Sequence, residues 1–205
     1  IWIPRWNLPA GQRDRQEVLP FPACNLVVEP DGIALYGPTT SISYRELEGR
    51  GWAVGALLRP AGAGALCSPS LIRNSHRPLE DSDLKVAVAS AMADTNTTTG
   101  GQRAASALAA WVAQHTGPPQ AMALAANRME DVVTSDRSIL RVDQLARRLD
   151  LSIRSLQRLS ERYIGLPPLA VIRRYRLQEA AQRLREDPSV TVAQVAAELD
   201  YADHA

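Results

Sequence analysis

The feature that most constrains this chain is a pattern that occurs twice. Val142, Leu145, Ala146, Leu149, Asp150 and Leu151 recur fifty residues later as Val192, Val195, Ala196, Leu199, Asp200 and Tyr201. Any Ala/Leu-rich amphipathic helix mimics one such run, but two in fixed register indicate a duplicated supersecondary unit. Within Arg141–Tyr163 the unit reads as helix-turn-helix. Leu145, Ala146, Leu149, Leu151, Leu156 and Leu159 take the inward positions, and the small Ala146 sits where the helices approach. Asp150 falls where the turn wants a left-handed residue, a conformation Asp tolerates better than most side chains. Ser152 follows as a natural N-cap, its hydroxyl placed to accept from an unpaired amide. Between the two units, Leu169–Glu186 is helical, with Ile172, Tyr175, Leu177, Ala180, Ala181 and Leu184 on its apolar side, and Pro188 closes it.

The polar side of the second helix carries Arg154, Gln157, Arg158 and Arg162. Arginine forks onto guanine and glutamine onto adenine in the major groove, so this residue set points to duplex DNA. Charge supports the reading. The net charge of the whole chain is +1, yet residues 137–185 hold twelve arginines against four acids. That surplus of +8 leaves −7 on the remainder of the chain. Lys85 is the sole lysine, which explains arginine over lysine but not the segregation. A basic module on an acidic body fits a protein that meets nucleic acid through one domain.

These residues resemble a known family. Residues 145–205 are similar to the DNA-binding domain of AraC/XylS-type bacterial transcription regulators, two helix-turn-helix units joined by one long helix. The segment LSIRSLQRLSERYIGLPPLAVIRRYRLQEAAQRL carries the resemblance, including Gly165 and the proline after it. The resemblance implies that Arg154, Gln157 and Arg158 face bases. Ser152, Arg162, Arg173 and Arg174 are the expected phosphate contacts, with the arginines of the linking helix, Arg173, Arg174 and Arg176, serving as phosphate clamps or as structural pairs. By the family pattern a second reading helix would begin near Ala205, so the second unit is expected to be incomplete.

Residues 1–67 read as short strands: Val18, Cys24–Val28, Gly32–Tyr36, Ser41–Tyr44 and Trp52–Leu58, punctuated by Pro and Gly, with Asp31-Gly32 as a strong turn. Their spacing predicts a small barrel or sandwich. LPFPACNLVVEPDGIALYGP and GWAVGALLRPAGAGALC resemble the cupin-like N-terminal domain of one branch of AraC-type regulators. The expected fold class is therefore α+β: a cupin-like β domain over 1–79, a helical extension over 80–135, and the DNA-binding domain over 136–205. Asp81–Met92, Arg103–His115 and Ala121–Val133 are the expected helices of the extension, with TNTTTGGQ (95–102) as a flexible connector. They either cap the barrel or build a homodimer contact.

Trp52, Tyr36, Tyr44 and Arg59 are the candidate lining of a small-molecule pocket in the barrel, aromatic surface with one cation for an anion. A metalloenzyme, a cupin-type isomerase or oxygenase with a vestigial DNA-binding fold, is the competing reading. It needs clustered histidines, and the chain offers only His76, His115 and His204 in separate segments, so no metal, cofactor or catalytic residue is expected. Two cysteines, Cys24 and Cys67, are too few for a disulfide scaffold and read as reduced thiols of a cytoplasmic protein. IWIPRWNL lacks the layout of a signal peptide, and no run has the ~18 apolar residues of a membrane span. The function expected is sequence-specific DNA binding, with an N-terminal domain that senses an effector or mediates self-association.

Overall fold

The Asp31-Gly32 turn organises the N-terminal half. Glu29 and Gly32 exchange backbone hydrogen bonds of 2.8 and 3.2 Å, and Val28 then faces Ile33. In the computed structural model, which describes residues 1–199, this hairpin is far longer than its apolar core. Eight strands are present among the described residues: β1 (Arg5–Asn7), β2 (Arg13–Val18), β3 (Asn25–Val28), β4 (Ile33–Tyr36), β5 (Ser43–Glu48), β6 (Arg50–Trp52), β7 (Val54–Leu57) and β8 (His76–Leu79). Asn25 faces Tyr36, and Val18 faces Ser43, so one register runs from the turn through β3/β4 into β2/β5. Pairing lapses between them because Pro20, Pro22 and Pro38 have no amide hydrogen to give. Thr39 N to Phe21 O, at 3.1 Å, and Phe21 N to Thr39 Oγ1, at 2.9 Å, bridge the interruption.

The expected barrel does not close. The strands form one four-stranded antiparallel sheet, β7-β3-β4-β8, and two ribbons, β1-β6 and β2-β5. Every residue of β2 is exposed, and its sequence RDRQEV offers no apolar face to bury. The sheet's core face is covered by helices instead. Leu26, Val28, Leu35 and Val54 pack against Leu84, Val88 and Met92 of α2 (Ser82–Met92) and Ala104 and Leu108 of α3 (Thr97–Thr116). The helices after the strands therefore cap the sheet.

The 95–102 segment is not a free connector. Asn96 caps α3 by accepting from Thr99 N at 3.1 Å, and the Thr/Gly run forms the first turns of the helix. A Cβ on Gly100 would stand 2.4 Å from Ala91 O, so glycine there is what lets α2 and α3 approach. One short helix, α1 (Pro60–Leu66), follows β7 where its Gly/Ala sequence gave no helical period.

The other core is helical throughout. α4 (Ala121–Ser135), α5 (Val142–Arg148), α6 (Ile153–Tyr163) and α7 (Pro168–Glu186) bury Ala126, Met129, Leu145, Leu156, Leu159, Val171 and Ile172 together, with Ala61 of α1 at the edge. Each such leucine contributes on the order of 1.5–3 kcal/mol by leaving water. Residues 80–135 thus divide between two cores: α2 and α3 belong to the sheet, α4 to the C-terminal helices. Among the described residues no helix is long and apolar enough to cross a membrane.

Candidate nucleic-acid interface

The turn between α5 and α6 is built as its sequence dictates. Leu149 ends α5, and Asp150 adopts φ +53, the left-handed conformation. Asp150 N then returns to Arg147 O at 3.2 Å and Leu151 N to Ala146 O at 2.9 Å, closing the end of the helix. Ser152 caps α6, its Oγ accepting from Ser155 N at 3.1 Å. With both ends fixed, Leu156, Leu159, Ser160 and Tyr163 face the core.

Arg154, Gln157 and Arg158 consequently face solvent, all three exposed. None makes a hydrogen bond or ion pair with another described residue. Glu161, the acid on the same face, is engaged from the other side: Arg73 reaches it at 2.7 Å and donates its Nε to Gly165 O at 2.7 Å. Most other arginines of the basic window are occupied. Arg141 and Arg147 pair with Asp143, Arg137 and Arg183 with Glu179, Arg148 with Asp136, and Arg176 donates to Leu199 O. Arg162 is exposed and lies over the Tyr163 ring at 5.3 Å. Arg173 is exposed and unpaired among the described residues.

Of the two roles expected of the linking-helix arginines, Arg174 makes structural contacts. Its Nε donates to Thr39 O at 2.9 Å and its Nη2 to Thr40 O at 3.1 Å, across 135 and 134 residues of sequence. Gln178 donates to Pro20 O at 2.9 Å, and Phe21 meets Tyr175 edge-on at 5.7 Å. The interrupted part of the long hairpin is therefore what docks on α7. Its unpaired carbonyls accept there because no ladder uses them.

Sequence reasoning missed the remainder of this contact. Arg59, the expected pocket cation, instead lies 2.8 Å from both Glu130 and Asp131 of α4. Tyr175 donates to Glu130 at 2.6 Å, and Asn127 accepts from Ala61 N at 2.9 Å. Burial pushes the Glu130 carboxyl above its usual range, against the Tyr175 hydrogen bond and the Arg59 charge. Gly165 has φ +81, and a Cβ on it would stand 2.6 Å from Pro69. Of these residues, the helix-ending glycine alone carried a local signal.

The other expected pocket residues do not meet in one cavity. Tyr36 lies beside His76, ring centres 5.1 Å apart, and its hydroxyl accepts from Arg45 at 3.3 Å. Tyr44 is half exposed on the β2-β5 ribbon under Arg15. Trp52 packs at the margin of the sheet core. Tyr36, Tyr44 and Trp52 sit on β4, β5 and β6, which belong to three different sheets, a separation the chain order concealed. Cys24 is buried in that core, and the adjoining Cys67 sulfur and burial push its thiol well above the usual range. His115 stacks on Trp111, remote from His76 in the sheet, and His204 lies outside the described residues.

The duplication extends to hydrogen-bond detail. Gln144 accepts from Arg141 N at 2.8 Å before α5, and Gln194 from Thr191 N at 2.8 Å before α8 (Val192–Glu198). Asp136 accepts from Ser138 N, and Asp187 from Ser189 N. Leu145 and Val195 are both buried, and Leu149 and Leu199 both end their helices. Asp200 and Tyr201, the last members of the repeat, lie outside the described residues.

Comparison with known proteins places these features. A helix-turn-helix domain model matches residues 145–205, and a model of a domain of unknown function, DUF6597, matches residues 1–76. The sequence matches none of the curated proteins. Its fold is similar to that of ToxT from Vibrio cholerae. A lysine-to-alanine variant of apo ToxT from strain SCE256 superposes at TM-score 0.52 and 11% identity, over 98% of this chain and 88% of that one. ToxT from strain O395 gives 0.50 and 11%, over 93% and 88%. At this identity the likeness is one of fold: an N-terminal β domain followed by a helical domain with helix-turn-helix units.

Proposed function

We propose that the chain is an AraC/XylS-type transcription regulator with an N-terminal domain, and that α6 reads operator DNA in the major groove. Arg154, Gln157 and Arg158 contact bases, and Ser152, Arg162 and Arg173 contact phosphates. The observation that carries this is the state of the α6 face: Arg154, Gln157 and Arg158 are free among the described residues, while Arg137, Arg141, Arg147 and Arg148 are paired with acids. Unpaired guanidinium groups held on a rigid, capped helix suit direct readout, worth ~1–3 kcal/mol per good bidentate pair. The 19-residue α7 spans ~28 Å at 1.5 Å per residue, near the ~34 Å of one DNA turn. Two units on one linking helix thus suit successive major grooves on one side of a duplex.

The N-terminal domain senses a small molecule or mediates self-association. Support for a regulatory role comes from its grip on α7, since the strand break at Pro20–Thr39 touches the helix that links the two reading units. In vitro selection from a randomised duplex pool tests the DNA reading. The protein should enrich a defined motif, and replacing Arg154, Gln157 and Arg158 together by Ala should abolish enrichment while the thermal melt is preserved. Enrichment of the same motif by the triple variant would sink the assignment.

A further inference from the structure

The β1-β6 ribbon places four polar or aromatic side chains on one face. Arg5 pairs with Trp52 and Asn7 with Arg50, and directly opposed residues of an antiparallel pair share a side. That side fronts the end of α2 and the start of α3, leaving a groove of about 810 Å3. Its volume lies within the ~300–1,000 Å3 of small-molecule sites. Met92 and Trp52 supply apolar surface, and Thr97 opens α3 at the opposite wall.

The charges in this groove have one sign. Arg5 is anchored there, donating to Met92 O at 2.9 Å, with other N–H groups left over. Arg50 is exposed and makes no hydrogen bond or ion pair among the described residues. Among the described residues no carboxylate lines the groove, and Asp94, the nearest acid along the chain from Met92, is paired with Arg103 at 3.3 Å. The first turn of the 20-residue α3 adds the positive end of its dipole. Two guanidiniums, a carboxamide and a helix amino end beside an indole form a setting for an anion that carries an apolar body.

We infer that this groove binds a small organic anion with a planar apolar body, the acid group against Arg50 and the body against Trp52. The site deepens the sensing half of the proposed function and lies outside the sequence-derived pocket, sharing only Trp52 with it. The test uses 8-anilino-1-naphthalenesulfonate and its uncharged counterpart N-phenyl-1-naphthylamine, titrated calorimetrically into the protein without DNA. The sulfonate should bind saturably at one site. Arg50→Ala should weaken it at least about tenfold, as loss of a charge-assisted hydrogen bond does. The same variant should leave the melting temperature unchanged, and Trp52→Leu should weaken both probes. The neutral probe should bind more weakly than the sulfonate and ignore Arg50→Ala. Equal binding of the two probes, no saturable sulfonate binding, or indifference of the sulfonate to Arg50→Ala overturns the site. A parallel DNA titration with and without sulfonate separates the two ideas: saturable binding without any change in DNA affinity leaves the site standing and sinks sensing.

Discussion

Two helices of the C-terminal domain, α6 and α7, carry similar densities of arginine and use them differently. Arg154 and Arg158 of α6 stand free among the described residues, whereas Arg174 of α7 holds the N-terminal domain by the carbonyls of Thr39 and Thr40. Arg176 and Arg183, also on α7, have protein partners. A basic stretch of sequence is therefore two surfaces, one open to a polyanion and one closed on the protein itself. Charge counts do not distinguish them. What does is whether an unpaired carbonyl or carboxylate from elsewhere in the chain comes within reach.

The comparison can be broken hardest at Gly165, where the α6-α7 corner meets Pro69. Gly165→Ala adds left-handed strain and a Cβ against Pro69 backbone, and should cost on the order of 3 kcal/mol or more in urea melts. A loss below about 1 kcal/mol would mean that the α6-α7 corner does not pack against Pro69.

Tyr175→Phe sharpens the closed side. It removes the donor from buried Glu130 and should destabilise by ~1–3 kcal/mol, the penalty of a buried acceptor left short of a partner. An unchanged denaturation midpoint would show that Glu130 is satisfied without Tyr175.

On the open side, the α5-α6 turn sets where α6 points. Asp150→Val should cost ~1–2 kcal/mol through left-handed strain, while Asp150→Gly should be neutral or slightly stabilising. Thermal melts that ranked Val above Gly would contradict the assigned φ.

The smallest effect concerns pH. Because burial raises the Glu130 carboxyl, its protonated form favours the folded state. That contribution is full below the ordinary pKa of ~4.3 and is lost as pH rises through the raised value. Glu130→Gln should flatten this decline, and a variant with the wild-type pH profile would locate the titration elsewhere.

How much of this was legible in the sequence follows from the range of each interaction. The left-handed Asp150, the Ser152 cap and the inward leucines are set within a dozen residues, so the pattern in the chain displayed them. β2 gave no such signal, because RDRQEV alternates nothing apolar; the backbone ladder and surface pairs such as Arg13 with Glu48 and Arg15 over Tyr44 hold it to β5. α1 was hidden by Gly62 and Gly64, which lower helix propensity in a segment held by tertiary contact. The roles of Arg59, Arg73 and Arg174 depend on partners some 70–135 residues away. An arginine bound for DNA and one bound for a distant carbonyl look alike until the chain is folded.

The central claim is that α6 is the open surface and Arg174 belongs to the closed one. It is tested most directly by fluorescence anisotropy of Arg158→Ala and Arg174→Ala on selected and random duplexes across a salt series. Arg158→Ala should lower the selected-to-random affinity ratio by ~5–100-fold, the loss of one bidentate base contact. Arg174→Ala should leave that ratio and the slope of log affinity against log salt unchanged, because its guanidinium neutralises no phosphate. A slope that falls by ~1 in Arg174→Ala, with the ratio intact in Arg158→Ala, would contradict the account.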